Sequence, residues 1–149
     1  MGIGEICTRE VVITRPERSV AAAAELMRQH HVGDLVVVTD ADGKRIPVGI
    51  ITDRDLVVEV MALKLDPATL TVGEIMGQEL VIGHEDDAIF DTLQAMRSKG
   101  VRRVPIVDDS GGLLGIVTVD DLIEVFAEEL TDLARVISRG RAREATDRI

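Results

Sequence analysis

Apolar and polar positions along this chain switch between a helical period and a strand period in a fixed order. Val20, Ala23, Ala24 and Met27 fall near helical spacing, and Leu35 to Val38 and Val48 to Thr52 are β-branched runs that read as strands joined by a turn at Asp42-Gly43. The same order returns later. Ile89, Leu93, Ala95 and Met96 predict a second helix with Gly100 at its C-terminal stop, and Val104 to Val107 and Leu114 to Thr118 predict strands joined by Gly111-Gly112. A short apolar segment precedes each helix, and a further helix is predicted after each second strand.

Sliding the chain against itself turns this likeness into a repeat. Gly4-Glu5-Ile6 recurs 69 positions on as Gly73-Glu74-Ile75, and the same offset aligns Val12-Ile13 with Val81-Ile82, Met27-Arg28 with Met96-Arg97 and Val32 with Val101. Beyond the turn the offset becomes 66, aligning Gly49-Ile50-Ile51-Thr52 with Gly115-Ile116-Val117-Thr118 and Asp55-Leu56 with Asp121-Leu122. The first copy thus carries three extra residues in its turn. A unit of about 60 residues buries little surface alone, so the two copies are expected to pack their sheets together as one α/β body. The division that follows is repeat one at 1–65, repeat two at 66–128 and a helical tail at 129–149, with Lys64 to Leu70 as the connector. In the tail, Leu130, Leu133, Ala134 and Ile137 continue a helical stripe that Gly140 is expected to interrupt, with Arg141 to Ile149 frayed. The stripe reads as a cover for the core or a dimer seam.

Composition narrows the function classes. Seventeen Lys and Arg against 27 Asp and Glu leave a net charge of −10, with a pI near 4.7, which disfavours binding to phosphate backbones or anionic lipid. Trp and Tyr are absent and Phe90 and Phe126 are the only aromatic residues, so stacking platforms for single-stranded nucleic acid cannot be built. A base held here would lie between aliphatic side chains. The lone Cys7 has no disulfide partner within the chain and reads as a small buried hydrophobe. Charges at Glu5 and Arg9 argue against a signal peptide, and no apolar run approaches membrane-spanning length, so the expectation is cytoplasmic with no membrane partner.

The repeated Gly-Ile-Ile-Thr-Asp-Arg-Asp (49 to 55) and Gly-Ile-Val-Thr-Val-Asp-Asp (115 to 121) each end a strand and open a helix. One reading is a capping box, in which Thr52 or Thr118 caps the helix and Asp55 or Asp121 answers from the first turn. The other is an anion site, where the Thr hydroxyl and free N–H groups meet a phosphate while the carboxylate accepts from a ribose diol. The two are compatible, because a ligand can use what the cap leaves open. A metal reading of His30, His31 and His84 lacks ligand spacing, and Asp53, Asp55, Asp120 and Asp121 lack the nucleophile or metal that paired catalytic carboxylates would serve.

The doubled pattern Gly-hydrophobic-hydrophobic-Thr-x-x-Asp, preceded in copy two by Val101-Arg102-Arg103-Val104-Pro105-Ile106-Val107-Asp108, closely resembles the cystathionine-β-synthase (CBS) domain, and the tandem is similar to a CBS pair, or Bateman module. The resemblance runs from about Ile3 to Glu128. It implies two pseudo-symmetric repeats packed sheet to sheet, and a regulatory module whose clefts hold AMP, ADP, ATP, S-adenosylmethionine or a related adenosyl compound, with no reaction and no required cofactor. On that resemblance Asp55 and Asp121 hold ribose hydroxyls, Thr52 and Thr118 touch ribose or phosphate, and Arg102 and Arg103 neutralise phosphate. Leu80, Val101, Val104 and Pro105 surround the adenine. It further implies a homodimer and a regulated partner protein.

The copies depart from one another where charge matters. Gly33, Asp34 and Val36 stand in copy one where copy two has Arg102, Arg103 and Pro105. A carboxylate in place of a cation at ~4 Å turns attraction for phosphate into repulsion of several kcal/mol at an effective dielectric near 20, so the cleft using Arg102 and Arg103 is expected to be the better nucleotide site. The competing classes are a ligand-free interaction module, in which the Thr and Asp residues only cap helices, and a nucleotide hydrolase.

Overall fold

The structure is a computed structural model that describes residues 1–77 and 79–147. A one-turn 3-10 helix at Ile3–Glu5 leads into β1 (Ile13–Thr14), α1 (Val20–His30), β2 (Asp34–Ala41), β3 (Lys44–Thr52) and α2 (Asp53–Leu56), which widens into a π turn at Val57–Met61. The second repeat runs α3 (Val72–Ile75), β4 (Gly83–His84), α4 (Ile89–Lys99), β5 (Arg103–Val107), β6 (Leu113–Thr118) and α5 (Val119–Asp147). Helix ends follow local chemistry. Ser19 caps α1 by accepting the Ala22 N–H at 3.1 Å, and Gly100 ends α4 in the left-handed region at φ 66°, the conformation that costs glycine least. Its equivalent, His31, takes the same conformation at φ 54° after α1. The fold therefore asks for this backbone at both positions, whatever residue the copy supplies.

Each repeat forms a three-stranded sheet, β1-β2-β3 and β4-β5-β6, whose short first strand is parallel to the second and whose second and third are antiparallel. Even the irregularities repeat: the ladder shifts register between Val37 and Val38 and, 69 residues on, between Ile106 and Val107. The expected strands all form, and β2 and β3 run longer than the apolar pattern marked because the Asp42-Gly43 turn, with both residues at positive φ, closes a tight hairpin over Thr39–Ile46 pairing. Leu35, Val37 and Ile51 face the helices of repeat one, while Val104, Ile106 and Val117 do so in repeat two. The alternating positions Val36, Val38, Pro105 and Val107 are also buried and lie between the two sheets. Sheet-to-sheet packing thus holds as expected, with β3 against β6 and the Ile46 side chain 3.8 Å from where a Cβ on Gly111 would sit.

The repeats also exchange their openings. Ile3, Ile6 and Cys7 pack in the core of repeat two, and Val72, Ile75 and Met76, their counterparts, pack in the core of repeat one. The exchange is tied down by backbone bonds in matched pairs: Ile3 N–H to the Asp87 carbonyl at 2.8 Å and Val72 N–H to the Arg18 carbonyl at 2.8 Å, Gly4 to Glu85 at 3.0 Å and Gly73 to Pro16 at 2.9 Å. Thr8 and Ile116 trade both of their backbone bonds at 2.9 Å. Each sheet needs a segment from the other repeat to complete its core.

The tail departs from expectation. Gly140 does not interrupt the helix, and 141–147 are not frayed: α5 is continuous through Asp147, while 148 and 149 lie outside the described residues. Twenty-nine residues of mostly strong helix formers outweigh one exposed glycine, which costs about 1 kcal/mol relative to alanine. Among the described residues no helix is long and apolar enough to cross a membrane.

Candidate functional site

The two strand-to-helix junctions carry the repeated Thr and Asp residues, and both capping boxes form. The Thr52 hydroxyl oxygen accepts the Asp55 N–H at 3.2 Å while Asp55 Oδ2 accepts the Thr52 N–H at 2.9 Å. Thr118 and Asp121 repeat this at 3.2 and 2.9 Å. Capping therefore consumes one carboxylate oxygen of each Asp. The other, Oδ1, takes no bond among the described residues, and all four side chains stay half-buried.

At the second junction β5 and β6 deliver further groups to the same place. Arg103 is the ladder partner of Thr118, and the Val119 N–H bonds the Arg102 carbonyl at 3.0 Å, closing the strand pair against the start of α5. Arg102, Arg103, Thr118, Val119 and Asp120 line a pocket of about 310 Å³. That is at the lower end of the range for small-molecule sites. A guanidinium pair, a hydroxyl and a helix N-terminus share one concavity, which suits an anionic or hydroxyl-bearing ligand.

At the first junction the equivalent positions behave differently. Asp34 is the ladder partner of Thr52, and the Asp53 carboxylate lies over Gly33, 3.1 Å from where a Cβ would be. Asp34 reaches across to the other repeat and forms a salt bridge with Arg103. Burial pushes the Asp34 carboxyl above its ordinary value, Arg103 pulls the other way, and the nearby charge of Asp53 adds to the rise. Equivalent in the repeat and opposite in charge, Asp34 and Arg103 are partners and not rivals in separate clefts. The repeat carries the missing signal: equivalent positions close to a pseudo-two-fold axis meet across it. Half the cation pair is thus already engaged, and no partner for Arg102 occurs among the described residues.

The remaining expected residues divide. Leu80 and Val101 are half-buried, Leu80 in the segment before β4 and Val101 against the repeat-two core. Val104 is 1% exposed with its side chain inside that core, and Pro105 is buried between the sheets, so neither presents a surface to adenine. The short period of a strand decides this: 104 and 105 point to opposite faces, and both faces are covered. Cys7 is buried beneath β6, where a Cβ on Gly115 would fall 2.9 Å from its sulfur. Burial raises the thiol above its usual range, with Arg9 opposing, in keeping with a packing residue. Met76 sits over Gly49 in the same way. Of the histidines, none joins the three carboxylates Glu85, Asp86 and Asp109, which lie close together at the surface.

The chain matches the CBS domain over residues 3–62 and 72–128. It is 38% identical over 125 residues to protein MK0525 of Methanopyrus kandleri, covering 84% of this chain and 62% of that one, so it spans less than two thirds of that relative. It is 37% identical over 120 residues to the CBS domain-containing protein YhcV of Bacillus subtilis, covering 80% of this chain and 81% of that one. Among solved structures, the CBS domain pair of protein MJ0100 in complex with methylthioadenosine and S-adenosyl-L-methionine superposes with a TM-score of 0.72 at 28% identity, covering 87% of this chain and 98% of that one.

Proposed function

This chain belongs to the CBS domain family, a pair of such domains in one chain, and from that premise we propose that it is a regulatory module that binds an adenosyl compound between its repeats and relays occupancy to a second copy or a partner protein. The observation that carries the reading is the pocket in which Arg102, Arg103, Thr118 and the first turn of α5 converge. Asp55 and Asp121 are the ribose ligands through their open oxygens, and Thr52 and Thr118 contribute their hydroxyl protons. Leu80 and Val101 are the aliphatic contacts for the base. The complex of MJ0100 with two adenosyl compounds supports this class. The chemistry is binding and not turnover: a capping carboxylate already holding a backbone N–H is poorly placed to shuttle protons.

Charge ranks the candidates AMP, ADP, ATP and S-adenosylmethionine. Around the repeat junction Asp34, Asp53 and Asp120 accompany Arg102 and Arg103, and Arg103 is shared with Asp34. Such a centre tolerates one phosphate or a sulfonium better than a triphosphate. A ligand touching both repeats favours the arrangement that closes on it, and the relayed signal equals its differential affinity for the two arrangements.

The test is a thermal melt followed by circular dichroism, since the chain has no Trp or Tyr, on protein refolded free of ligand. Ligand at one hundred times Kd stabilises by about 2.7 kcal/mol, a shift of several degrees. The expected result is a shift with AMP or S-adenosylmethionine that exceeds the shift with ATP and is lost in Asp121→Ala. Flat melts at millimolar ligand would favour a ligand-free interaction module, and product formation scaling with protein would revive a hydrolase.

A further inference from the structure

Apart from Phe126, which packs in part against the repeat-two core, the long last helix has an apolar face that no other described residue covers. Ile123, Phe126, Leu130, Leu133, Ile137 and Gly140 are spaced alternately three and four residues apart, the repeat that places side chains on one seam of a helix pair. Leu122 anchors the start of α5 in the core, yet from Ala127 to Asp147 every residue is exposed. Leu130, Leu133 and Ile137 are 66, 62 and 57% exposed. The apolar surface does not stop where the body begins: Phe90 of α4, 66% exposed, lies tilted against Phe126 with ring centres 5.6 Å apart and widens the stripe at its base.

Charge along the helix says what lies on this seam. The first exposed half bears Glu124, Glu128, Glu129 and Asp132, and the second bears Arg135, Arg139, Arg141 and Arg143, with Glu144 and Asp147 beyond. A second α5 running parallel would set acid on acid and base on base. Running antiparallel, it sets each acidic half beside the other copy's basic half. We infer that α5 is the seam of a homodimer in which the helices of two copies pair antiparallel, each projecting arm lying over the Phe90–Phe126 surface of the other copy.

Register follows from the stripe. With Leu130 of one copy against Leu133 of the other, Phe126 meets Ile137 and Ile123 meets Gly140. Gly140 then falls where the second body is broadest, beside Ile123 and Phe90, and a side chain there would hold the helices apart. That gives a function to a glycine which, in the isolated chain, has open space around its Cα and only weakens its helix. The acidic chain as a whole and the interleaved Glu144 and Asp147 make a nucleic-acid or anionic-membrane occupant the poorer fit.

The inference goes beyond the ligand reading and does not rest on it. Sedimentation velocity on the full chain is expected to return twice the 16.2 kDa of one copy, and Leu133→Glu, at an exposed position, is expected to return one. Circular dichroism confirms that the variant stays folded. Orientation is read by spin labels on Ala145→Cys, with the buried Cys7 left unlabelled: antiparallel helices centred near residue 132 put the two labels about 40 Å apart at ~1.5 Å rise per residue, whereas parallel helices put them side by side. A monomeric wild type, a dimer indifferent to Leu133→Glu, or a short label distance would each overturn the inference. Binding of wild-type monomer to anionic vesicles would reassign the stripe to a membrane. Adenosyl melt shifts measured in Leu133→Glu keep the two questions apart, since their loss or survival leaves the dimer result standing.

Discussion

The strand-to-helix junctions of the two repeats share one scaffold and differ in the charge laid over it. Both have a Thr cap, an answering Asp and a ladder partner one strand away, with hydrogen bonds that agree to a tenth of an ångström. Around that scaffold the second repeat places Arg102, Arg103 and Val119, where the first places Gly33, Asp34 and Asp53. Capping is a backbone need that every copy of the helix has, so both copies retain it. The residues flanking it are free of that need and have separated in sign. The salt bridge between Asp34 and Arg103 joins the two outcomes, spending part of the cationic site of one repeat on the acid of the other.

The comparison extends to the exchanged openings, where it can be broken hardest. Ile3 and Val72 are equivalent, both fully buried, and each completes the other repeat's core. Ile3→Ala is expected to cost about 4 kcal/mol and Val72→Ala roughly 2, each in a single urea transition monitored by circular dichroism, because each core is completed by a segment of the other repeat. Separate transitions for the two repeats would contradict the exchange. Next come the glycines beneath these segments. A Cβ at Gly115 would stand 2.5 Å from the Thr8 carbonyl oxygen, which is backbone and held by the Ile116 N–H it accepts, whereas at Gly49 it would meet the Met76 sulfur at 2.6 Å. Gly115→Ala should therefore cost about 3 kcal/mol and Gly49→Ala about 1, since a methionine side chain can move aside.

Smaller effects sharpen the contrast at the junctions. Asp121→Ala and Asp55→Ala each remove half of a capping box and should cost about 1 kcal/mol in thermal melts. On the ligand reading, Asp121→Ala also abolishes the adenosyl shift in those melts, and Thr118→Ala without any ligand effect would leave capping as the whole role. The smallest stability effect belongs to Asp34. Its carboxyl is held above the ordinary value in the folded chain, so ionisation opposes folding: stability is highest below the usual carboxylate range and falls as pH rises through it to the folded value. Asp34→Asn removes that slope. Its melting temperature should coincide with the wild type at the acid end and exceed it at neutral pH, and freeing Arg103 should tighten AMP binding; a gap that widens on acidification would refute this account.

Much of this was legible along the chain, for reasons that differ by element. The repeat, offset by 69 residues before the turn and 66 after it, exposed both helices, four of the strands and the hairpins because these are local structures, set by apolar period, turn residues and stops such as Gly100. The Thr–Asp boxes were legible because their partners are three residues apart. Gly140 reads as a stop because glycine is the residue most common just past a helix end, and only the course of α5 shows that it lies inside one. Val104 and Pro105 carried the family pattern yet lie in covered faces, which a strand sequence alone does not reveal.

The amino-acid order by itself determined the duplicated unit, its elements, its caps and the acid-for-base replacement between copies, because each depends on neighbours within a few residues or on counting. The tertiary structure decided which segment fills which core, that Cys7 lies under Gly115, and that Asp34 binds Arg103. Those contacts join residues tens of positions apart through a pseudo-two-fold axis. They arise because two sheets too small to bury their own faces are more stable sharing segments across that axis than standing alone.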